Sequence, residues 1–461
     1  MFKKLIGNRE FYKRLIALAL PIMVQNGITN FVNMLDNIMI GAVGTVQMTS
    51  VAIGNQLLFV FNLCIFGAVS GAGIFGSQFF GSNNHEGVRH TFRFKLIFGC
   101  FLTIAALFLF YFGGESLIGL YMKGDAGLAD AVATLQHGKD YLRIMLIGLL
   151  PYTITQCYSS TLREGARPML PMVAGVVAVV INLVFNYILI FGHFGAPALG
   201  VRGAAIATVL SRFVEMGIVV VATHKNKTTY PYMVGAYRSL YVPRKLIGQF
   251  FVKGLPLIIN ETLWASGVAV VNQAYSLRGL DSIAATNISQ TFWNVFSIAF
   301  LAIGSSVGII LGMHLGANEF GEAKTSSYKM IAFSVFVSII IGAIYFVCAE
   351  FIPLAYNTEP HIQSLATRLM QITAVIMPFE ALTHASYFTL RSGGKMFITF
   401  LFDCGFTWVC NVLLATVLTN FTALPFLGIF AIVQSTTILK AFIGGALVKR
   451  GFWLKNIIDT Q

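Results

Sequence analysis

LIALALPIMVQNGITNFVNMLDNIMIGAVG, residues 15–44, contains one charged residue, Asp36. The stretch is longer than the roughly 20 mostly apolar residues that a helix needs to cross a bilayer. Asp36 is therefore expected inside the membrane, where a bare carboxylate costs roughly 2.5–3.5 kcal/mol on the insertion scale. It escapes that cost by taking a proton, binding a cation or facing a polar cavity. Asn26, Asn30, Asn33 and Asn37 recur every three or four residues, with Gln25 beside Asn26, and so share roughly one helix face. Asp36 lies at the edge of that face, within reach of Asn30 and Asn33. Amides alone would serve as glue between helices. Glue does not require a carboxylate, so Asp36 is read as functional.

Working outward, the rest of the chain is of the same kind. Of 461 residues, 56% are hydrophobic and only 11% charged, and the mean hydropathy is +0.76. Ordinary soluble domains carry about 25% charged residues. The chain reads as an all-α polytopic membrane protein with twelve spanning segments, near 14–40, 51–80, 92–113, 141–162, 168–191, 203–223, 252–277, 285–312, 328–352, 366–391, 396–418 and 423–447. The six cysteines sit in apolar segments without metal-ligand spacing, so neither a disulfide nor a metal site is expected. The basic start runs straight into the first long apolar segment, which argues for a membrane helix over a cleaved signal peptide.

The net charge of +13 would suit a nucleic acid partner, but its distribution points to lipid instead. Twelve crossings put both termini on one side. Of the 31 lysines and arginines, only Lys123, Lys139, Arg143, Arg202, Arg278 and Arg368 fall on the opposite side, while Arg212 and Lys440 fall within helices. The positive-inside rule then places both termini in the cytoplasm.

The chain repeats itself. ALPIMVQN (19–26) matches GLPLIINE (254–261), and FGAVSGAGIFGSQFFG (66–81) matches LAIGSSVGIILGMHLG (301–316). STLREG (160–165) matches FTLRSG (388–393), and Arg212 falls on Lys440. The basic, Pro-containing stretch 224–251 separates the repeats. The expected organisation is a lobe of six helices at 1–223, a cytoplasmic linker at 224–251 and a second six-helix lobe at 252–461. Six crossings per repeat is an even number, so the lobes are expected to be related by a pseudo-twofold along the membrane normal, with a cavity between them.

Taken in order, ALPIMVQN with MLDNIMIGAVG, GAVSGAGIFGSQFFG, GLPLIINE and the paired TLR segments resemble the multidrug and toxic compound extrusion (MATE) family over nearly the whole chain. The resemblance implies a secondary active exporter of organic cations, drugs or toxic compounds, without a cofactor, driven by antiport of protons or sodium across the cell membrane. It assigns ion coupling to Asp36, with Asn33 beside it. The family's N-x-x-x-D motif in helix 5 falls on Asn182 and Asn186, so its second carboxylate is here an amide. One carboxylate among neutral oxygens favours a proton over sodium. Glu261 matches the helix 7 glutamate, for coupling or for the charge of the substrate. Asn26, Gln56, Gln290, Trp264 and Trp293 complete the expected substrate set, since aromatic faces attract organic cations.

Other charges lie within the helices. Arg212 and Glu215 are spaced to pair along helix 6. Glu380 and His384 are four apart, and Asp403 or Glu380 is a partner for Lys440. An enzyme is not expected, because no H-E-x-x-H, Ser–His–Asp set or phosphate loop is present. The alternative is a flippase for a lipid-linked or amphipathic substrate, which would call for more cavity-facing Arg or Lys. A monomer is expected. The topology gives a direct test: an impermeant thiol reagent applied outside should label a cysteine placed in 114–140 and spare one placed in 224–251, and the reverse pattern would refute the orientation.

Overall fold

The computed structural model describes residues 6–121, 128–356 and 358–459. It is built from helices: α1 (Arg9–Gly41), α2 (Thr45–Gly81), α3 (His85–Leu120), α4 (Leu128–Ile147), α5 (Leu149–Glu164), α6 (Met169–Phe191) and α7 (Val201–Lys225). After the segment 226–243 come α8 (Arg244–Ser276), α9 (Leu280–Phe296), α10 (Ile298–Gly316), α11 (Phe320–Cys348) and α12 (Pro360–Ser392). α13 (Met396–Phe400) and α14 (Leu413–Phe421) are the ends of one span, and α15 (Phe426–Arg450) closes the series.

Among the described residues, 11 helices are long and apolar enough to cross a membrane. The segment outside that count is 141–162, which is shared by α4 and α5. Pro151 has no N–H to give the carbonyl of Ile147, so the helix breaks at Gly148. Segment 285–312 is likewise divided, at Ser297 between α9 and α10. Between α13 and α14 the helix widens into π-helical turns over Leu401–Gly405 and Thr407–Val412.

Side chains are distributed as lipid requires. On α3, Phe108 and Phe112 are 62% and 74% exposed, whereas Lys95 and Thr103 are buried. Polar groups turn inward because hydrocarbon offers them no partner. Arg93 and Lys95, read from the sequence as loop residues, are buried within α3. Arg93 donates to the carbonyls of Gly235 and Ala236 at 2.9 and 2.8 Å and so fastens the segment 226–243 to α3.

The helices form two compact units, Val24–Gly76 with Asn84–Ile258, and Met1–Met23 with Ser77–Asn83 and Ile259–Gln461. α1, α2 and α8 each contribute to both. In the first, α6 packs on α7 and α3 on α5. In the second, α12 is central and meets α9, α10, α11 and α15. There the segment after α15 is tied down by Gln78, which donates to the carbonyl of Ser392 at 3.0 Å and accepts from the amide of Ile457 at 2.9 Å. Trp453 of that segment is fully buried.

The sequence repeat is visible in the backbone. Asn83 after α2 and Asn318 after α10 are both left-handed, with φ of 55° and 61°. Ala166 after α5 and Gly394 after α12 are too, at 55° and 71°. Arg167 N–H closes the Ala166 turn on the carbonyl of Leu162. The turn is the same in both halves, but only Gly adopts it without a Cβ penalty, about 1–2 kcal/mol for other residues. Ala166→Gly should therefore stabilise the protein by about 1 kcal/mol, read as a higher melting temperature of the solubilised protein; a lower one would contradict the strain argument.

Candidate functional site

The first cluster lies where α1, α6 and α7 meet. Asn182 and Asn186 are one turn apart on α6 and both buried. The amide of Asn186 donates to Asp36 Oδ1 at 2.6 Å and to Asn182 Oδ1 at 3.1 Å. Asn182 in turn donates to Thr208 Oγ1 at 3.2 Å, and that hydroxyl donates to the carbonyl of Ala204. Both hydrogens of the Asn186 amide are thus spent. Its Oδ1 is buried with no hydrogen-bond partner among the described residues. An unpaired buried acceptor costs about 1–3 kcal/mol. Beside a carboxylate, it is an oxygen that a cation, or a proton on the carboxyl group, would use.

The second cluster lies between α8, α12, the π-helical turn and α15. Lys440 Nζ donates to Asp403 Oδ1 at 2.8 Å, and the amide of Asn260 donates to Oδ2 at 3.0 Å. Tyr387 donates its hydroxyl to Glu261 Oε1 at 3.3 Å. Arg391 stands over the rings of Tyr387 and Phe388. Nearby, the indole of Trp293 donates to Glu380 Oε2 at 2.9 Å.

Of the expected coupling residues, Asp36, Asn182 and Asn186 are brought together. The side chain of Asn33 lies outside the described residues. Glu261 belongs to the second cluster. Of the expected substrate residues, Asn26 and Gln56 are exposed on α1 and α2, Trp264 is exposed on α8, and Gln290 bonds Asn294 on its own helix. Lys440 pairs with Asp403, as one of the two sequence alternatives had it. Arg212 and Glu215 form no ion pair among the described residues. Arg212 instead donates to the carbonyl of Gly148 at the α4–α5 break, which also accepts from the amide of Tyr152, and stacks over the Tyr152 ring.

A third polar group was not legible. Lys95 Nζ lies 2.6 Å from both oxygens of Glu164 and also donates to Ser160 and Thr161. Gly73 and Gly76 of α2 face this carboxylate, and a side chain at either would overlap it. The signals were a lone lysine among phenylalanines and a glutamate inside STLREG whose repeat partner is Ser392.

The MatE family profile matches residues 21–188 and 256–417. A probable multidrug resistance protein NorM of Thermotoga maritima is 27% identical, over 98% of this chain and 95% of its own length. One of the same description from Oceanobacillus iheyensis is 25% identical, over 91% of this chain and 92% of its own. Among solved structures, an outward-facing multidrug resistance MATE transporter of the MOP superfamily superposes with a TM-score of 0.85 at 16% identity, covering 97% of this chain and 98% of that one. A MATE protein in the bent conformation gives 0.86 at 17% identity, covering 98% and 97%. These structures share the twelve-helix, two-lobe fold.

The Lys95–Glu164 pair makes its own prediction. Glu164→Ala strands a buried ammonium and should cost about 3–5 kcal/mol. Lys95→Met combined with Glu164→Gln should recover most of the loss in a thermal melt, whereas equal damage from both variants would show that the pair is not the cause.

Proposed function

Since this chain belongs to the MATE family of multidrug efflux transporters, we propose that it exports organic cations by antiport with protons, with residues 1–223 and 252–461 as its lobes and 224–251 as a cytoplasmic linker. The family consists of multi-pass membrane transporters rather than enzymes. The basic asymmetry favours cytoplasmic termini. The relatives described above are multidrug resistance proteins, which favours drug export over lipid flipping.

The observation that carries the proposal is the Asp36–Asn186 contact with the stranded Asn186 Oδ1 beside it. Asp36 is met there by a neutral amide, so its charge is left for an ion to cancel. A single carboxylate with amide oxygens is a poor sodium cage and an adequate proton site. Gain and loss of that proton changes the local charge by one, and a two-state protein responds to any ligand that favours one state. The cluster around Glu261 and Asp403 takes the positive charge of the cargo.

Asp36→Asn keeps size and hydrogen bonding but fixes the charge at zero. In proteoliposomes, wild-type protein should move ethidium under an imposed pH gradient, and Asp36→Asn should lower that rate at least about tenfold, equivalent to about 1.4 kcal/mol. Full transport by the variant would place coupling elsewhere. Transport driven by a sodium gradient alone would overturn the proton assignment.

A further inference from the structure

Around Asp403 the carboxylate accepts from Lys440 and Asn260, at 2.8 and 3.0 Å. The Lys440 ammonium also faces two rings, Phe402 at 5.5 Å and Phe406 at 5.7 Å. A carboxylate flanked by aromatic faces is the donor set that recognises an organic ammonium. Here the chain's own lysine occupies it.

The fold does not demand this pair. Both halves contain a hydrogen-bonded Asn–Thr pair on neighbouring helices, Asn182–Thr208 at 3.2 Å and Asn411–Thr436 at 2.8 Å. Four residues beyond each threonine stands the basic residue, Arg212 or Lys440. Arg212 satisfies its position with a backbone carbonyl and a tyrosine ring. The same architectural place is therefore filled in one half without a carboxylate.

Charge balance points the same way. Asp403, Glu261 and Glu380 supply three negative charges, and Lys440 and Arg391 supply two positive ones; these groups and His384 act on one another electrostatically. With all three carboxyl groups ionised and His384 neutral, a cationic cargo would complete the balance. Glu380, held by the neutral indole of Trp293, is a second carboxylate that feels the Lys440 charge.

We propose that Lys440 is a tethered competitor for the ammonium site formed by Asp403, Phe402 and Phe406. A cationic cargo displaces it towards Glu380, so Lys440 sets both the affinity and the charge selectivity of the site. This rests on the cargo being cationic.

Equilibrium binding of ethidium to purified protein in nanodiscs, with no ion gradient, separates the two readings. If the wild type binds no ethidium, the cationic-cargo reading fails and this inference falls with it. If the wild type binds, Lys440→Gln should bind about tenfold more tightly, and Asp403→Asn added to it should abolish the gain. Lys440→Arg, whose fork grips Asp403 more firmly, should bind about tenfold more weakly. A purely structural ion pair gives the opposite pattern, with Lys440→Arg unchanged and Lys440→Gln weaker. Either of those results, in folded protein, overturns the proposal. Should Lys440→Gln not fold, the Lys440→Arg measurement decides alone.

Discussion

Taking a carboxylate out of water costs several kcal/mol even after the surroundings relax. Five carboxylates within the helices are each met by a donor, but the donors differ in kind. Glu164 has a full ammonium, that of Lys95, which also donates to the hydroxyls of Ser160 and Thr161. Asp403 has an ammonium and an amide. Asp36 has an amide, Glu261 a phenol and Glu380 an indole. Neutral donors soften the desolvation cost without cancelling the charge. The first kind of site is complete as it stands and holds helices together. A carboxylate met by a neutral amide, as Asp36 is, keeps its charge uncancelled by that donor, whereas Glu261 and Glu380 also feel the charges of Arg391 and Lys440. These acids draw polar partners to the inner faces of the helices, while large apolar side chains such as Phe108 and Phe112 stay on the outer face.

The two halves use one template for different chemistry. Pro21 and Pro256 sit inside α1 and α8 at matching places. The asparagine–threonine pairs and the left-handed turns after α2, α5, α10 and α12 also correspond. Yet Asn186, the partner of Asp36, corresponds to Ala415, a fully buried methyl group. Lys440 holds an acid where Arg212 holds a carbonyl. Shape is shared between the halves, and charge is distributed independently in each.

Spanning helices were legible because their signal is length and apolarity, which need no partner to be read. Asp36 was legible for the same reason, as a lone charge in a neutral stretch. The resemblance to the MATE family, through its N-x-x-x-D motif, pointed to Asn182 and Asn186. What stayed hidden depended on contacts across the chain. Lys95 reads as the edge of a loop until Glu164, far away in sequence, is seen beside it. Asn260 and Tyr387 are ordinary residues until they meet Asp403 and Glu261. The spacing of Arg212 and Glu215 suggested a local pair, but the break before Pro151 offers the arginine a carbonyl that spacing along one helix does not show. The breaks at Gly148 and Ser297 fall at different places in the two halves, so the repeat could not announce them.

The widened turns of the 396–421 span have a genealogical consequence. Arg163 and Ala166 correspond to Arg391 and Gly394 with one offset, but Asn182 corresponds to Asn411 with an offset one residue longer. A π-helical turn holds an extra residue without interrupting the helix. Each residue of an α-helix advances by about 100°, so an insertion absorbed in this way leaves the helix on either side of it in its ancestral orientation. Asp403 lies inside the widened turn. Asp403 therefore sits in the stretch where the second half carries its extra residue, in a widened turn that α6 lacks.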